Sequence, residues 1–516
     1  IIMLRIQLER QDGEPSFPSV REYSKFFGLT AKRMQAAKEG VMIMHPGPIN
    51  RGVEINSDVA DDPRYSCVLD QVENGEAMRM AILHTINLNR MKILIKNGTI
   101  VNHDGSEEAN VLIEGDKISK ITRECPAADR VIDAAGKLVM SGLIDMHVHF
   151  RDPGLEYKDD VISGSETAVA GGVTTCLPMA NTKPVNDNSS ITRAMIAKAK
   201  QRGLIDLLPI GAISQDCKGA KIVEMGDMLE AGCVAFSDDG LPVTDSSVMR
   251  QALEYSAHFG SFVINHSEDC SLCHGGVMNE GKVSAILGLK GMASEKEEIM
   301  IARDLLLAKK TDGHIHIAHV SSAWSLKLIE QAKREGIRVT CEATPHHFTF
   351  DERELMGYDT NFKMSPPLRT QSDVQAIREA LKSGLIDAIV TDHAPHNTDD
   401  KFVEFDHAPF GILGLQTLVP LTLRLVKQGV IGLEDMVRLC SFNPAKILNL
   451  KDKGEVKEGF LADVAIIDPQ ISYVYDEALN KSKSRNSPLF GKQLTGAAVC
   501  TIKSGRVVYE FPNVVA

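Results

Sequence analysis

Eight short apolar segments alternate with candidate amphipathic helices along the middle of this chain, and this alternation limits the fold more than any other feature. The segments are 143–149, 173–181, 204–213, 233–239, 262–266, 314–319, 338–347 and 386–393. The helix candidates include 190–202, 246–259, 295–309, 322–335 and 372–382, many of which begin near Ser or Asp and end near Gly. Eight strand–helix units predict an α/β fold, a (β/α)8 TIM barrel over residues 143–451. A doubly wound sheet would need a glycine-rich phosphate loop after its first strand, and the sequence has none.

Strand-rich segments flank this region on both sides. Residues 91–142 and 452–516 contain short apolar runs with turn signals such as Asn97-Gly98, and we expect them to pair into one small β-sandwich domain. A fresh strand start after residue 90 places a domain boundary there. Residues 1–90 then form a separate, partial α/β segment, in which 77–88 is a helix candidate.

Charge and composition argue against some classes of partner. The 516 residues carry a formal net charge of −12, which disfavours a nucleic-acid partner because such a protein does not attract a polyanion. No apolar run reaches the roughly 18 residues that cross a bilayer, and the charged N-terminus does not resemble a signal peptide. Ten scattered cysteines suit a reducing compartment, so we expect a cytoplasmic protein without a membrane partner. The haem-like string CSLCH at 270–274 is interpreted as ordinary loop thiols.

Histidines and aspartates at the predicted strand ends form a candidate metal site. His147 and His149 are two residues apart on a strand, so both imidazoles face one side and can chelate a metal such as zinc. Further candidates at later strand ends are Asp239, His266, His319 and Asp392. Six such ligands can hold two metals if one carboxylate bridges them. Each residue taken alone could instead cap a helix or lie in a solvated loop.

The sixth predicted strand contains three histidines. Alternation groups His319 with the isoleucines of this strand on the inward face of the barrel. His314 and His316 then point toward the helices, in structural roles. We assign no metal role to His346 and His347, because the site already has enough ligands.

An arginine lies next to this candidate site. Arg151 follows His149 by two residues, on the same face of the chain. Its planar guanidinium can hold a carboxylate through two charge-assisted hydrogen bonds. A salt bridge at the rim of the barrel is the alternative.

Five strings of residues resemble the motifs of dihydroorotases in the amidohydrolase superfamily. They are HVHFRDPG (147–154), PMANT (178–182), FSDDG (236–240), CEATPHH (341–347) and TDHAPH (391–396). The strings occur in order at family-like spacing, and the resemblance covers residue 91 to the end. It implies a zinc-dependent hydrolase of cyclic amides that reversibly converts dihydroorotate to N-carbamoyl-L-aspartate in pyrimidine biosynthesis, and it suggests a homo-oligomer.

The resemblance also implies a role for each candidate residue. Asp239 would bridge two zinc ions, and Asp392 would be the catalytic group that carries a proton from water to the leaving ring nitrogen. Zinc lowers the pKa of bound water to about 7. The residues that would bind the first ion are His147, His149 and Asp392, and those that would bind the second are His266 and His319. The substrate-binding residues implied are Arg151, Asn181, His396, Phe410 and Gly411.

Residues 3–88 resemble the C-terminal part of an aspartate carbamoyltransferase catalytic chain. The matching strings are RIQLER (5–10), MHPGPINRG (44–52) and VLDQVENG (68–75). By that resemblance Arg5 and Gln7 would contact aspartate, and Pro46 and Gly47 would line the same site. No Ser-Thr-Arg-Thr loop occurs in the sequence, so we do not expect transferase activity, and a carbamoyltransferase is a candidate partner. We expect this segment to have an incomplete core and marginal stability.

Two other functions remain open from the sequence. A related cyclic amidase acting on hydantoins or dihydropyrimidines would not need the arginine, because its substrates lack the carboxylate. A non-catalytic scaffold for a carbamoyltransferase would not need a full set of metal ligands. Zinc content and turnover of N-carbamoyl-L-aspartate distinguish the three hypotheses.

Overall fold

The computed structural model describes residues 1–6, 19–88, 91–273 and 275–512. The chain divides into two compact units, Ile1–Met91 and Lys92–Ala516. Within the described ranges, no helix is both long and apolar enough to span a membrane.

The described part of the first unit contains four helices around a small apolar core. The helices are α1 (Val20–Phe26), α2 (Ala31–Met34), α3 (Ser57–Ala60) and α4 (Val68–Leu88). The buried core residues are Leu29, Met34, Ile43, Ile55, Val59 and Ala60. Helix α4 begins nine residues before the predicted start at residue 77, and it exposes Leu69, Met78 and Met80. The unit therefore has a core of its own but leaves many apolar side chains in solvent.

The second unit contains nineteen strands among its described residues. In chain order they are β1 (Lys92–Lys96), β2 (Thr99–Asn102), β3 (Gly105–Glu108), β4 (Asn110–Glu114), β5 (Lys117–Thr122), β6 (Arg130–Asp133), β7 (Leu138–Ser141), β8 (Leu143–Val148), β9 (Val173–Pro178), β10 (Asp206–Leu207), β11 (Val263–Asn265), β12 (Met278–Asn279), β13 (Gly291–Met292), β14 (Ile315–Ile317), β15 (Val339–Ala343), β16 (Ala388–Ile389), β17 (Val464–Val474), β18 (Gln493–Lys503) and β19 (Arg506–Glu510).

Thirteen α-helices are interspersed with these strands in the described part of the unit. They are α5 (Val161–Ala170), α6 (Ser189–Arg202), α7 (Met225–Ala231), α8 (Ser246–His258), α9 (Lys282–Leu287), α10 (Glu295–Thr311), α11 (Ala323–Arg334), α12 (Pro345–Thr349), α13 (Gln371–Ser383), α14 (Thr398–Lys401), α15 (Leu418–Lys427), α16 (Leu433–Val437) and α17 (Asn443–Ile447).

Strands from both flanks share one sheet. Its order is β19-β18-β17-β7-β2-β3, and a second sheet has the order β5-β4-β1-β6. The late strand β17 pairs with the early strand β7 in antiparallel register, with Val464 opposite Ser141. The two ends of this unit are therefore joined through backbone hydrogen bonds beside the start of β8.

Eight parallel segments close into a ring, which confirms the predicted barrel. One sheet has the order β10-β9-β8 and another has the order β11-β14-β15-β16. Phe236 joins the two sheets through parallel bridges to Gly211 and Val263, and Val148 closes the ring by a bridge to His393. The fourth segment, predicted as a strand over 233–239, is thus reduced to a single bridging residue. Because all eight segments run the same way, their carboxyl ends meet at one face.

Two apolar clusters lie on opposite sides of the barrel wall. The outer cluster includes Leu143 and Val148 of β8 together with helix residues such as Met249 and Leu305. The inner cluster includes Ile144, Met146, Leu177, Ile264 and Val390. The strands are thus buried on both faces, as parallel barrel strands are. The register of β8 is irregular between Asp145 and Val148, and this irregularity lies where the His-x-His string begins.

Side-chain caps fix where several barrel helices begin. The carboxylate of Asp160 accepts hydrogen bonds from the amides of Ile162 and Ser163 at the start of α5, and Asn188 and Asp245 cap α6 and α8 in the same way. Such caps satisfy amides that have no partner within the helix. The cap at Asp160 also fixes the loop that runs from β8 to α5, at the face where the strands end.

Candidate active site

The six predicted metal ligands lie together at the carboxyl ends of the barrel strands. His147 lies in β8 and His149 directly follows it. The other four follow the Phe236 bridge, β11, β14 and β16, and they are Asp239, His266, His319 and Asp392. All six are buried. Segments far apart in the sequence therefore bring these side chains together. In two sets of three residues, the imidazole and carboxylate ligand atoms lie close enough to one another to share a metal ion.

The two histidines of the first barrel strand each lie close to two carboxylates. Nε2 of His149 lies 3.1 Å from Oδ1 of Asp392 and 3.3 Å from Oδ2 of Asp239. Nε2 of His147 lies 3.3 Å from Oδ1 of Asp239 and 3.7 Å from Oδ1 of Asp392. Both imidazoles thus turn their Nε2 atoms toward the same two carboxylates.

The remaining two histidines meet on the other side of Asp239. Nδ1 of His266 lies 2.9 Å from Nε2 of His319. Oδ1 of Asp239 lies 3.4 Å from the former nitrogen and 3.6 Å from the latter. The carboxylate of Asp239 therefore faces both groups of histidines, with Oδ2 near His149 and Oδ1 near the other three.

The spacing of these atoms fits bound cations. Two atoms that each lie about 2.1 Å from a tetrahedral cation are about 3.4 Å apart, and the contacts above span 2.9 to 3.7 Å. Nε2 of His147 and Oδ1 of Asp239 are buried yet make no hydrogen bond to any residue that the structure describes. Buried polar atoms normally have partners. The cluster could therefore hold metal ions, with nitrogen and oxygen donors of the kind that zinc binds.

Charge balance in the cluster favours ionised carboxylates. Although burial opposes ionisation, the neighbouring His147 holds the pKa of Asp239 well below its usual range. Burial likewise opposes ionisation of Asp392, but the hydrogen bond from His149 and the nearby imidazoles lower its pKa. For His266, burial is outweighed by Asp239 and Glu268, which raise its pKa to about 9. A divalent cation would replace the imidazole protons, because histidine binds metal in its neutral form.

A buried carboxylate that the sequence analysis did not single out supports His147. Oε1 of Glu342, in β15, lies 2.7 Å from Nδ1 of His147, and its Oε2 lies 2.9 Å from Nε2 of His316. The hydroxyl of Thr340 then contacts Nδ1 of His316 and Nε2 of His314, both at 2.8 Å. A carboxylate at Nδ1 makes Nε2 of His147 the nitrogen left for a metal.

The predicted orientation of the strand-six histidines is wrong. Ile315 and Ile317 pack in the outer cluster with the helices, and the ring of His314 contacts the inner-cluster residue Phe262. His314 and His316 therefore face the barrel interior. Strand β14 ends at Ile317, and His319 has a φ of 31°. Its side chain reaches the site through this turn and not through strand alternation.

Glu268 plays a similar supporting part for His266. Its Oε2 lies 3.2 Å from Nε2 of His266 and accepts a hydrogen bond from Nζ of Lys296 at 2.8 Å. Its Oε1 accepts from the thiol of Cys273 at 2.8 Å. This loop contains Cys270 and Cys273, the predicted loop thiols, and neither forms a disulfide bond. His274 lies outside the described residues.

Arg151 lies at the rim of this cluster. Its Nε donates to the carbonyl of Pro395 at 3.2 Å, and its Nη2 lies 3.3 Å from Nε2 of His396. The backbone of Arg151 has a φ of 62°, and Asp392 has a φ of 48°. Such left-handed conformations of non-glycine residues cost energy and concentrate at functional sites.

Asn181 contacts His149, one of the predicted metal ligands. Its Oδ1 lies 3.0 Å from Nδ1 of His149, and its Nδ2 donates to the backbone carbonyl of Asp239 at 3.0 Å. One hydrogen of this amide is left to contact a ligand. Asn181 therefore orients His149 and connects it to the backbone of Asp239.

Phe410 and Gly411 approach the rim through their backbone. The carbonyl of Phe410 lies 2.8 Å from Nε2 of His396, while the amide of Gly411 donates to the carbonyl of Lys363 at 3.0 Å. Gly411 has a φ of 143°, and a Cβ there would lie 2.8 Å from the carbonyl oxygen of Ala394. Only glycine lets these two loops approach so closely.

For the first unit, the structure places the residues of the predicted aspartate-binding string only in part. Gln7 lies outside the described residues, and Arg5 lies in an irregular segment before that gap. Nε2 of His45 lies 3.3 Å from Oε1 of Glu54, and both side chains are fully buried. This pair follows the isolated bridge between Ile2 and Met44.

Three family profiles match the chain. Residues 136–325 match the dihydro-orotase-like family and residues 299–509 match the amidohydrolase family. Residues 1–86 match the aspartate/ornithine carbamoyltransferase family, in its Asp/Orn binding domain. The last match agrees with the resemblance found for the N-terminal strings.

Individual relatives agree with these profiles. A dihydroorotase from Geobacter metallireducens is 50% identical over 424 residues, which are 81% of this chain and all of that protein. A dihydroorotase from Syntrophus aciditrophicus is 45% identical over 427 residues and is also covered in full. Among solved structures, the L-hydantoinase (dihydropyrimidinase) from Arthrobacter aurescens aligns with a TM-score of 0.75 at 29% identity, covering 83% of this chain and 98% of that one. The chain belongs to the dihydroorotase family of amidohydrolases.

Proposed function

We propose that this protein interconverts dihydroorotate and N-carbamoyl-L-aspartate, a step of de novo pyrimidine biosynthesis. The observation that carries the proposal is the position of Arg151 beside a buried cluster of four histidines and two aspartates. Nη2 of Arg151 lies 3.3 Å from Nε2 of His396, and Asn181 contacts His149 of the cluster. A ring amide at the cluster would thus have its carboxylate next to the guanidinium.

We propose two zinc ions as the cofactor. His147, His149 and Asp392 would hold one ion, and His266 and His319 the other, with Asp239 between them. The carboxylate of Asp239 supports a bridging role, since Oδ2 faces His149 and Oδ1 faces His147, His266 and His319. Zinc held there would supply water activated at neutral pH and a Lewis acid for the ring carbonyl.

Asp392 is the group that moves the proton. Its pKa lies below the usual range because the surrounding imidazoles outweigh the effect of burial, so Asp392 is present as the carboxylate, the form that a general base needs. In hydrolysis, a C–O bond forms between the attacking water and the ring carbonyl carbon, and Asp392 takes the water proton. The C–N bond of the ring then breaks, and Asp392 gives that proton to the departing nitrogen. Ring closure runs through the same transfers in reverse.

Arg151 sets substrate choice in this proposal. Its guanidinium is held by the carbonyl of Pro395, which leaves its other N–H groups for a carboxylate. Loss of one partner of such a desolvated charge pair typically costs about 2–5 kcal/mol of binding. Hydantoins and dihydropyrimidines lack the carboxylate, so this residue distinguishes the proposal from the cyclic amidases that share the fold.

The test is turnover by the purified chain in both directions. N-carbamoyl-L-aspartate and dihydroorotate should be interconverted, while hydantoin and dihydrouracil should react at least about a hundredfold more slowly, in line with the loss of a charge-assisted contact. Faster turnover of the two rings that lack a carboxylate would favour the hydantoinase-like alternative. A chain that binds zinc but turns over none of the four, with or without an added aspartate carbamoyltransferase, would favour the scaffold hypothesis.

We also propose a carbamoyltransferase as a partner of the first unit. Helix α4 exposes Leu69, Val72 and Met80, each more than 40% accessible, and at about 3.6 residues per turn the three lie on one side of the helix. Contiguous exposed apolar side chains commonly mark a protein interface. Co-purification with an aspartate carbamoyltransferase, lost on changing Leu69 and Met80 to Lys, would support this partner. The predicted homo-oligomer stays a prediction that the elution volume of the pure chain can test.

A further inference from the structure

A lysine next to the proposed substrate rim has no role in the mechanism described above. Nζ of Lys158 lies 3.1 Å from Nδ1 of His396 and 3.0 Å from Oδ2 of Asp400. Its side chain is only 12% exposed. A lysine on an open surface would keep its ammonium in water, so this contact is built into the fold.

The surroundings of His396 define which ring nitrogen carries the proton. The carbonyl of Phe410, 2.8 Å from Nε2, can only accept a hydrogen bond, so Nε2 must carry hydrogen. The ammonium of Lys158 can only donate, so Nδ1 must offer its lone pair. Both contacts select the same neutral tautomer. Burial, together with the charges of Arg151 and Lys158, lowers the pKa of His396 to about 2, which agrees with a neutral ring.

This tautomer matters because of what lies on the Nε2 side of the ring. Nη2 of Arg151 is 3.3 Å away, and two N–H donors cannot satisfy each other. The Nε2 hydrogen that the carbonyl of Phe410 accepts can be shared with a second acceptor, such as a carboxylate oxygen that also accepts from Arg151. The opposite tautomer would turn a lone pair toward that oxygen and repel it.

We propose that Lys158 is a positioning residue that holds His396 in the tautomer with hydrogen on Nε2, so that His396 and Arg151 together donate to the substrate carboxylate. The inference rests on the proposed function for the identity of the substrate. The tautomer itself does not depend on it. Lys158 does not touch the substrate in this proposal and acts through His396.

The loop that carries Lys158 is fixed from two sides. The hydroxyl of Ser484 donates to the carbonyl of Lys158 at 2.6 Å, and the amide of Lys158 donates to the carbonyl of Leu155 at 2.9 Å. The neighbouring Lys483 donates to the carbonyl of Glu156 at 2.8 Å. The backbone of Lys158 is thus held by contacts that do not involve its side chain. A substitution of Lys158 therefore tests the side chain without removing the contacts that fix the loop.

The first test compares steady-state kinetics of zinc-loaded variants. Lys158→Met should raise the KM for N-carbamoyl-L-aspartate about tenfold, the size of one lost charge-assisted hydrogen bond, with kcat within about twofold and zinc content unchanged. Lys158→Arg keeps a cationic donor and should restore the KM. Lys309→Met is the control, because it removes an exposed lysine in α10 whose ammonium contacts Glu335 and neither His396 nor the loop of Lys158. Lys158→Ala serves in the same assays if the methionine variant does not fold.

The second test reads the tautomer directly. Nitrogen-15 NMR of histidine-labelled protein, with the His396 signals assigned from His396→Ala, should report hydrogen on Nε2 in the wild type and a mixture of tautomers in Lys158→Met. Combining Lys158→Met with His396→Ala should raise KM no further than His396→Ala alone.

Three results would overturn the proposal. They are an unchanged KM in Lys158→Met, an equal rise in Lys309→Met, and the same tautomer in wild type and variant. If the wild type fails to convert N-carbamoyl-L-aspartate, the proposed function fails, and the NMR comparison still decides the role of Lys158.

Discussion

Replacing Glu342 by Gln tests how much of the metal affinity depends on a residue that touches no metal. In the structure this carboxylate accepts from Nδ1 of His147 at 2.7 Å and from Nε2 of His316 at 2.9 Å. A glutamine has one oxygen and one NH₂ group, so it can accept from only one of the two rings. His316 can adjust, because its other nitrogen contacts the hydroxyl of Thr340, which can donate or accept. His147 cannot, because its other nitrogen faces the proposed metal.

The expected loss can be estimated from this geometry. Removing the partner that orients a metal-binding histidine typically lowers metal affinity about 10–100-fold, which corresponds to about 1.4–2.7 kcal/mol. The negative charge of the carboxylate is also lost in this variant. That charge interacts strongly with His147, which lowers the pKa of Glu342 to about 2 even though burial opposes ionisation. We therefore expect Glu342→Gln to reach the upper part of this range.

Competition with a chromophoric chelator measures the affinity, and metal per chain after dialysis gives an independent value. Glu297→Gln is a suitable control, because Glu297 is also buried but accepts its hydrogen bonds from Ser321, Ser322 and Ser325. An affinity of Glu342→Gln within twofold of the wild type, in a folded protein, would refute the assigned role of Glu342.

Four further results are expected. Arg151→Ala should raise KM by about thirtyfold or more, from a loss of about 2–5 kcal/mol, with zinc content intact; an unchanged KM would remove its carboxylate role. Asp392→Asn should lower kcat about 10²–10⁴-fold, and retention of wild-type kcat would exclude proton transfer by this residue. Removing metal with a chelator should abolish turnover and lower Tm, since a site filled at a hundred times its Kd contributes about 2.7 kcal/mol; a Tm that does not respond to zinc would contradict the site. Burial, with His316 nearby, lowers the pKa of His314 to about 3, so the folded chain binds fewer protons than the unfolded chain below pH 6.5 and loses stability as the pH falls. His314→Gln should therefore lose less Tm than the wild type between pH 7 and pH 5, when metal-free proteins are compared.

The barrel was predictable because its signal is local and repeated. Apolar runs of strand length alternate with capped helices, and the ligands follow the runs at the strand ends. The fourth run shows the limit of this signal, since 233–239 contributes only the bridging residue Phe236. His319 shows another limit: it reaches the site through a backbone turn at φ 31°, which alternation cannot represent.

Contacts between distant strands were not predictable from one sequence. Glu342 and His147 are 195 positions apart, and Lys158 and His396 are 238 positions apart. Neither contact leaves a local pattern, because the first joins β8 to β15 and the second joins the loop after β8 to the loop after β16. Successive side chains of a strand point to opposite faces of the sheet. Because Cys341 faces the helices, the next residue, Glu342, faces the barrel interior, a direction that alternation could have predicted.

The segment around residue 484 has a consequence for how the protein is made. Ser482, Ser484 and Asn486 hold the loops that carry Asp159, Lys158 and His396, and all three come after the last metal ligand in the chain. During synthesis, all the predicted ligand residues therefore leave the ribosome about ninety residues before the serines and the asparagine that shape the rim. A nascent chain stalled between these points has all six predicted ligand residues but lacks the side chains that hold Asp159, Lys158 and His396 in place.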